Sequence, residues 1–420
     1  MTNLKTLYNQ YPRQYWLMIF GILISTAGGG MVWPFTLIYA GGKLGLPLST
    51  VASLISINAG VGLFASFLAG TLADRIGRKV VMVVSLGMMG TGYFFLVQAE
   101  TYLQFALLMA LVGLSNPLYQ VGADAMLADM IPPEQRTDAY AINRIANNTG
   151  FGIGPAIGGF LASTSYALAF YGASAGFLMY GFIWLVFARE TLDKTLSEVK
   201  TSALAGQAST AKEAARSDGY LRVFKDRPYM AFVALVGLGL IAPSILWILM
   251  PVYAKTNFNV PEVLYGWIPT TNAVMCVFLQ YAVTNVTRKN RTLPVVGIGM
   301  LVYALGAGSV ALMTGFWGFW VSMIILTFGE LIVVPTASKY VADIAPADLR
   351  GRYMSLYWFG WGVSRTLAPL IGGFLNDNIS PRAIWIGGLL IGLTSTLGLI
   401  LLDQLSKRRS SASLPAANGL

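Results

Sequence analysis

Long apolar runs separated by short charged turns fill this chain from about Tyr15 to Asp403. Each run is close to or above the roughly 20 residues a helix needs to cross a bilayer core. The alternation predicts twelve spans, at roughly 15–40, 49–72, 80–98, 103–129, 138–164, 167–188, 229–254, 262–285, 293–313, 317–343, 352–376 and 383–403. One connector is long and polar: Leu192–Asp226, rich in Lys, Ala, Ser and Thr, splits the spans into two groups of six. The expected fold is an all-α membrane protein, with twelve transmembrane helices in two six-helix bundles at 1–188 and 229–403. A cytoplasmic connector at 189–228 joins them, and a tail of small residues follows at 404–420.

Composition and charge placement fit that map. The chain is 55% hydrophobic and 11% charged, whereas a soluble domain carries about 25% charged residues. Of its 28 Lys and Arg, Arg144, Lys339 and Arg365 fall within spans. The rest lie almost entirely on one side, and the opposite loops hold only Lys43, Lys255 and Arg382. Basic loops mark the inside, which places both termini and the connector in the cytoplasm. The expected location is the plasma (bacterial inner) membrane. The first apolar run is full length and lacks a small-residue cleavage site, so it reads as a retained helix.

Other chemistries are excluded. Cys276 is the one cysteine, so no intramolecular disulfide forms, and the absence of histidine removes His relays and His metal sites. Proton chemistry must fall to carboxylates, and no metal or cofactor is expected. No Gly-x-x-x-x-Gly-Lys-Ser/Thr sequence is present, so ATP is not the direct energy source, and a nucleophile elbow is missing too. The basic tracts follow the inside loops and need no nucleic acid. The expected partners are the lipid bilayer, a small-molecule substrate and protons, and the expected state is a monomer.

The two groups of six repeat at a constant offset of 214 residues. Asp129-Met130-Ile131-Pro132-Pro133-Glu134-Gln135-Arg136 returns as Asp343-Ile344-Ala345-Pro346-Ala347-Asp348-Leu349-Arg350. Pro155-Ala156-Ile157-Gly158-Gly159-Phe160-Leu161 returns as Pro369-Leu370-Ile371-Gly372-Gly373-Phe374-Leu375. A duplication of six-helix units is the signature of a two-bundle transporter with a site between its halves. The repeat fails at one place. The turn Gly70-Thr71-Leu72-Ala73-Asp74-Arg75-Ile76-Gly77-Arg78-Lys79 becomes a second-half turn, Thr287-Arg288-Lys289-Asn290-Arg291, without the acid or the glycines.

That first-half turn resembles, residue for residue, the loop between the second and third helices of the major facilitator superfamily. The resemblance implies that Asp74, Arg78 and Asp129 form a cytoplasmic charge relay, in a motif completed by Gly70, Arg75, Gly77 and Lys79. It also implies that Asp74 faces the N-terminal end of span eleven near Arg350 and latches the outward-facing state, since a carboxylate is favourable there. Gly150-x-x-x-Gly154-Pro155-x-x-Gly158-Gly159 in span five is similar to the fifth-helix motif of drug:proton antiporters, with Ala141 in place of the leading glycine. Its glycines permit close helix packing, and Pro155 removes a backbone hydrogen bond. The arginine that this branch carries in its fourth helix is missing. Counting back from Asp129 reaches Met109, although Gly113 matches the glycine that follows.

Ionisable residues within spans are costly and are functional candidates. Asp124 and Arg144 lie at similar depth near the cytoplasmic ends of spans four and five, which points to a structural ion pair. Lys339 is one turn from Asp343 and reads as its partner. Glu330 is thirteen residues from Asp343, roughly 20 Å of helix rise, and so lies near mid-membrane. Thr327-Phe328-Gly329-Glu330, with Pro335 and Asp343 beyond, resembles the tenth helix of a group of multidrug/proton antiporters in which that glutamate serves substrate and proton. Arg365 reaches a similar depth, so a structural Glu330–Arg365 pair is the competing reading. Trp33, Tyr39, Tyr119, Trp247, Tyr253, Trp358 and Trp361 are candidate cavity aromatics for a lipophilic cation.

The expectation is therefore a proton-driven multidrug exporter working by alternating access. The rivals are a facilitator or symporter for a metabolite such as a sugar or amino acid, and a non-transporting scaffold or sensor. Cysteines introduced in Leu192–Asp226 should react only with reagents admitted to the cytoplasm. Labelling of that connector in intact cells by an impermeant maleimide would overturn the charge-derived topology.

Overall fold

The computed structural model describes residues 10–192, 220–346 and 348–412. Most of the connector expected at 189–228, and the end of the expected tail, lie outside the described residues. The long helices are α1 (Arg13–Val32), α2 (Thr36–Leu44), α3 (Leu48–Ile76), α4 (Arg78–Leu96), α5 (Tyr102–Met130), α6 (Arg136–Thr164) and α7 (Tyr166–Phe187). They continue with α8 (Arg227–Gly239), α9 (Ile241–Phe258), α10 (Glu262–Thr287), α11 (Thr292–Ser309), α12 (Gly315–Ile344), α13 (Arg350–Asn378) and α14 (Ala383–Ala412).

Among the described residues these amount to twelve long spans, because α1–α2 and α8–α9 are each one span broken once. Both breaks have a covalent cause. Pro34 stands in the single 3-10 turn Trp33–Phe35 and returns no N–H to the turn before it. Pro243, three residues into α9, similarly leaves the Gly239 carbonyl without its helical donor, and the chain turns at Leu240. A capping box opens α5: the Gln104 amide donates to Thr101 Oγ1 at 3.3 Å, and the Thr101 amide donates to Gln104 Oε1 at 3.1 Å.

Nine of the described spans are long and apolar enough to cross a membrane, and the three that fall short are α6, α10 and α13. These carry the polar runs Asn143–Asn148, Thr270–Asn272 and Ser364–Thr366. A spanning helix of that composition must keep one face out of the hydrocarbon. Elsewhere large apolar side chains stand exposed, among them Phe64 at 73%, Phe67 at 65% and Leu312 at 84%. Surface of that kind belongs against lipid.

The chain forms two compact units, one of residues up to 202 with Pro251–Val274 and one of 203–250 with Met275 onward. In the first, α4 packs on α5 and α7, while α1 packs on α6 and α7. In the second, α11 packs on α12 and α14, while α8 packs on α13 and α14. The packing scheme thus repeats along with the sequence. The first unit's core gathers Tyr15, Met18, Met82, Leu86, Phe177, Tyr180 and Trp184.

The α6–α1 crossing depends on missing side chains. A Cβ at Gly150 would sit 2.7 Å from the Leu23 carbonyl oxygen, one at Gly154 2.5 Å from that of Ala27, and one at Gly158 2.2 Å from that of Met31. Backbone cannot yield as a side chain can. Gly158→Ala should therefore cost about 1–3 kcal/mol. Gly87→Ala, where nothing lies within 4 Å, should leave stability within about 0.5 kcal/mol. Thermal midpoints of the purified variants in detergent test this, and equal midpoints would show that the crossing tolerates a methyl.

Candidate functional site

Three polar places stand out within the units: the turn between α3 and α4, the α6–α10 contact, and the middle of α12 and α13.

At the turn, Arg78 opens α4 and its guanidinium is largely buried. It lies 3.6 Å from Asp74 and, through Nε, 3.2 Å from Asp129. The Nε–H is not aimed for a hydrogen bond, so the Asp129 contact is one of charge. Asp74 is exposed, whereas Asp129 is half-buried and also accepts a hydrogen bond from Thr191 Oγ1 at 2.9 Å. One cation thus joins the two acids of the sequence motif.

A fourth residue, Glu190, was not singled out from the sequence. Its carboxylate accepts the Arg78 and Lys79 amides, both at 3.0 Å, at the N-terminus of α4. An anion there meets unsatisfied N–H groups and the positive end of the helix dipole. Gly77 has φ +113°, and a Cβ on it would lie 2.4 Å from Glu190 Oε2. Glycine is needed here both for the backbone conformation and for the space. Gln14, at the start of α1, holds the same segment by exchanging hydrogen bonds with Arg189 at 2.8 and 3.0 Å. The only sequence signal was an acid placed directly after span six. Gly70 and Arg75 make no comparable contact: a Cβ at Gly70 would meet nothing within 4 Å, and Arg75 is exposed.

The α6 motif faces two neighbours. Gly150, Gly154 and Gly158 meet α1, while Gly159 meets α10, where its Cβ would lie 2.3 Å from the Glu262 carbonyl oxygen. Across the same contact Thr270 Oγ1 donates to the Gly152 carbonyl at 2.6 Å, and the Pro155 carbonyl is approached by Gly266. Glu262 is 7% exposed, pairs with Lys255 at 2.8 Å and accepts a hydrogen bond from the Tyr166 hydroxyl. This buried acid was also missed, because nothing local to Pro261-Glu262 separates it from a helix-start acid.

In the second unit Glu330 is half-buried at the centre of α12. Gly329 beside it lets the helix approach α11, where a Cβ would lie 2.9 Å from the Tyr303 amide. Pro335 cannot donate to the Leu331 carbonyl, and Gln280 Nε2 does so at 3.1 Å. Arg365, at the middle of α13, is exposed. A guanidinium at that depth cannot lie in hydrocarbon without large cost, so its face of α13 requires a polar surrounding.

The expected Asp124–Arg144 pair does not form. Arg144 is exposed, and Asp124 instead lies 3.5 Å from Gln120 Nε2. Equal depth does not fix direction around a helix. The α6 residue that reaches Asp124 is Tyr140, one turn earlier, through the Asp124 main-chain carbonyl at 3.4 Å. Lys339 does pair with Asp343, at 2.6 Å. Met109, where the antiporter arginine would stand, is buried, and its carbonyl accepts Asn58 Nδ2 at 2.9 Å.

The seven aromatics divide by environment. Tyr119 and Tyr253 are buried, and Tyr39 packs on Phe170 while donating to the Val97 carbonyl at 2.8 Å. Trp33, Trp247, Trp358 and Trp361 keep part of their surface open, and Trp358 and Trp361 lie with ring centroids 6.0 Å apart.

A twelve-span fold built of two like units, with the charged turn between the second and third spans, defines a secondary transporter and not an enzyme. A profile of the Major Facilitator Superfamily matches residues 18–294 and again 240–418, and the chain belongs to that superfamily. It is 26% identical over 362 residues to a Na(+), Li(+), K(+)/H(+) antiporter of Planococcus maritimus, covering 81% of this chain and 84% of the relative. It is 23% identical over 413 residues to the multidrug resistance protein MdtH of Yersinia enterocolitica, covering 96% of each. The crystal structure of the nucleoside transporter NupG superposes with a TM-score of 0.79 at 12% identity, over 93% of this chain and 100% of that one, and shares the fold.

Glu190→Ala should lower stability by about 1–2 kcal/mol through loss of the α4 cap. Gly77→Ala should cost more. Gly77→Ala combined with Glu190→Ala should recover the clash yet remain below Glu190→Ala alone, because the positive φ persists. Thermal midpoints of the three proteins check the order, and full additivity would deny the contact.

Proposed function

We propose that this transporter is a proton-driven exporter of lipophilic or cationic compounds, in which Glu330 binds the proton and the cation in turn. The observation that carries the proposal is Glu330 itself, a half-buried carboxylate at the centre of α12 in a chain without histidine. As an anion it holds a cation, and as a neutral acid it carries a proton. It cannot do both at once, and that competition is the coupling. Arg365 is assigned to hold the ionised glutamate when neither ligand is bound, and Asp124 is the alternative acid. The partly open Trp33, Trp247, Trp358 and Trp361 support a lipophilic cation through their ring faces.

The names of the two relatives, a multidrug resistance protein and a monovalent cation/proton antiporter, support export of a cation against protons. The second name also favours a further reading, exchange of an inorganic cation. Proteoliposomes with an imposed pH gradient separate the two: a lipophilic dye, Na(+) and a metabolite such as a sugar are offered in turn. Glu330→Gln should abolish uphill dye accumulation, at least a tenfold loss of initial rate, with the thermal midpoint unchanged. Dye accumulation by Glu330→Gln at the wild-type rate would remove Glu330 from the coupling step. Movement of Na(+) alone would replace the drug reading with the inorganic one.

A further inference from the structure

The second-half turn, where the repeat loses its acid, has no part in the transport proposal. In the first unit the Arg78 guanidinium stands between Asp74 and Asp129, and the amides opening α4 hold Glu190. At the offset of 214, Asp74 becomes Arg288, Arg78 becomes Thr292 and Glu190 becomes Gln404. A cation therefore replaces an acid, and the central cation is replaced by a neutral residue. The neighbouring acid, Asp403, is already held by Arg291 at 2.8 Å and Lys407 at 3.1 Å. The N-terminus of α11, at Thr292, has no acidic residue in its first turn and no capping side chain.

Beside that helix end lies a cavity of about 40 Å³, lined by Thr284, Thr287, Arg288, Thr292, Thr336 and Lys339. One water needs roughly 10–15 Å³ on this measure, so the space takes a larger polar group. The Arg288 side chain has no carboxylate partner among the described residues. Lys339 uses one of its three donors on Asp343 at 2.6 Å. The Thr292 and Thr336 hydroxyls likewise have no partner among the described residues.

We propose that this cavity binds a phosphate group, held by Arg288, Lys339, the Thr292 and Thr336 hydroxyls and the two open amides of the α11 N-terminus, those of Thr292 and Leu293, since Pro294 has none. Open helix amides and cations side by side are what a phosphate requires, and here the cations are the exposed Arg288 and Lys339 beside the buried Thr336. The first unit supplies the matching anion from its own chain, as Glu190, whereas the second leaves the place to an outside ligand. The source is either the headgroup of an anionic phospholipid or a soluble phosphate compound, since basic pockets between membrane helices accept the former.

The test uses the full-length protein, stripped of lipid in a neutral detergent and titrated with inorganic phosphate or with short-chain phosphatidylglycerol. Saturable binding is read by thermal midpoint and by adducts in native mass spectrometry. Arg288→Gln removes the free cation, and Thr292→Glu fills the cavity with a carboxylate from within, so each should weaken binding at least tenfold. A response to inorganic phosphate assigns a soluble ligand, and a response to phosphatidylglycerol alone assigns a lipid; both support the site. Absence of saturable binding by either probe, or equal binding by wild type and both variants, overturns it.

Discussion

Within hydrocarbon a backbone carbonyl that loses its helical donor cannot turn to water. Prolines within spans create such carbonyls, and at Pro335 the structure meets the demand with a side chain from a neighbouring helix: Gln280 takes the freed Leu331 carbonyl. Thr270 likewise crosses between helices to the Gly152 carbonyl, although that carbonyl is not one that Pro155 frees. Each bond draws a polar residue into a fixed place. Glu330 inherits its position from this arrangement, since Gly329 on one side is pressed against α11 and Leu331 on the other is tied to α10.

The two units share one packing scheme and differ in charge. Around α4 the first closes its charges internally, with Arg78 between two acids and Glu190 on the helix amides. Around α11 the second retains the helices and the crossing but carries Arg288 and Thr292 instead. Duplication preserved the apolar contacts that build each unit and left the surface turns free to diverge. A function carried by such a turn is therefore a property of one half.

Most of the fold was legible in the sequence because most spanning helices must present apolar residues along nearly their whole length. The twelve spans follow from run length, whereas the breaks at Pro34 and near Pro243 were not read from the sequence, although proline's missing N–H accounts for them. The Asp74–Arg78–Asp129 grouping was legible through the motif. Glu190 was not, because its partners lie 112 and 111 residues away and no local pattern marks an acid as the cap of a distant helix. Asp124 and Arg144 misled for a geometric reason: counting residues gives depth along a helix, not direction around it. The same limit hid the burial of Tyr119 and Tyr253, which as aromatics within spans read like the open tryptophans.

The Glu190 carboxylate also sets an order of assembly. The first turn of α4 leaves the ribosome more than a hundred residues before the acid that completes it. Chains fold from the N-terminus as they are made. The N-terminal end of α4 therefore stays uncapped during synthesis until α7 has been made and Arg189–Thr191 has folded back against it. The first six spans are locked last at the place where their sequence is most distinctive.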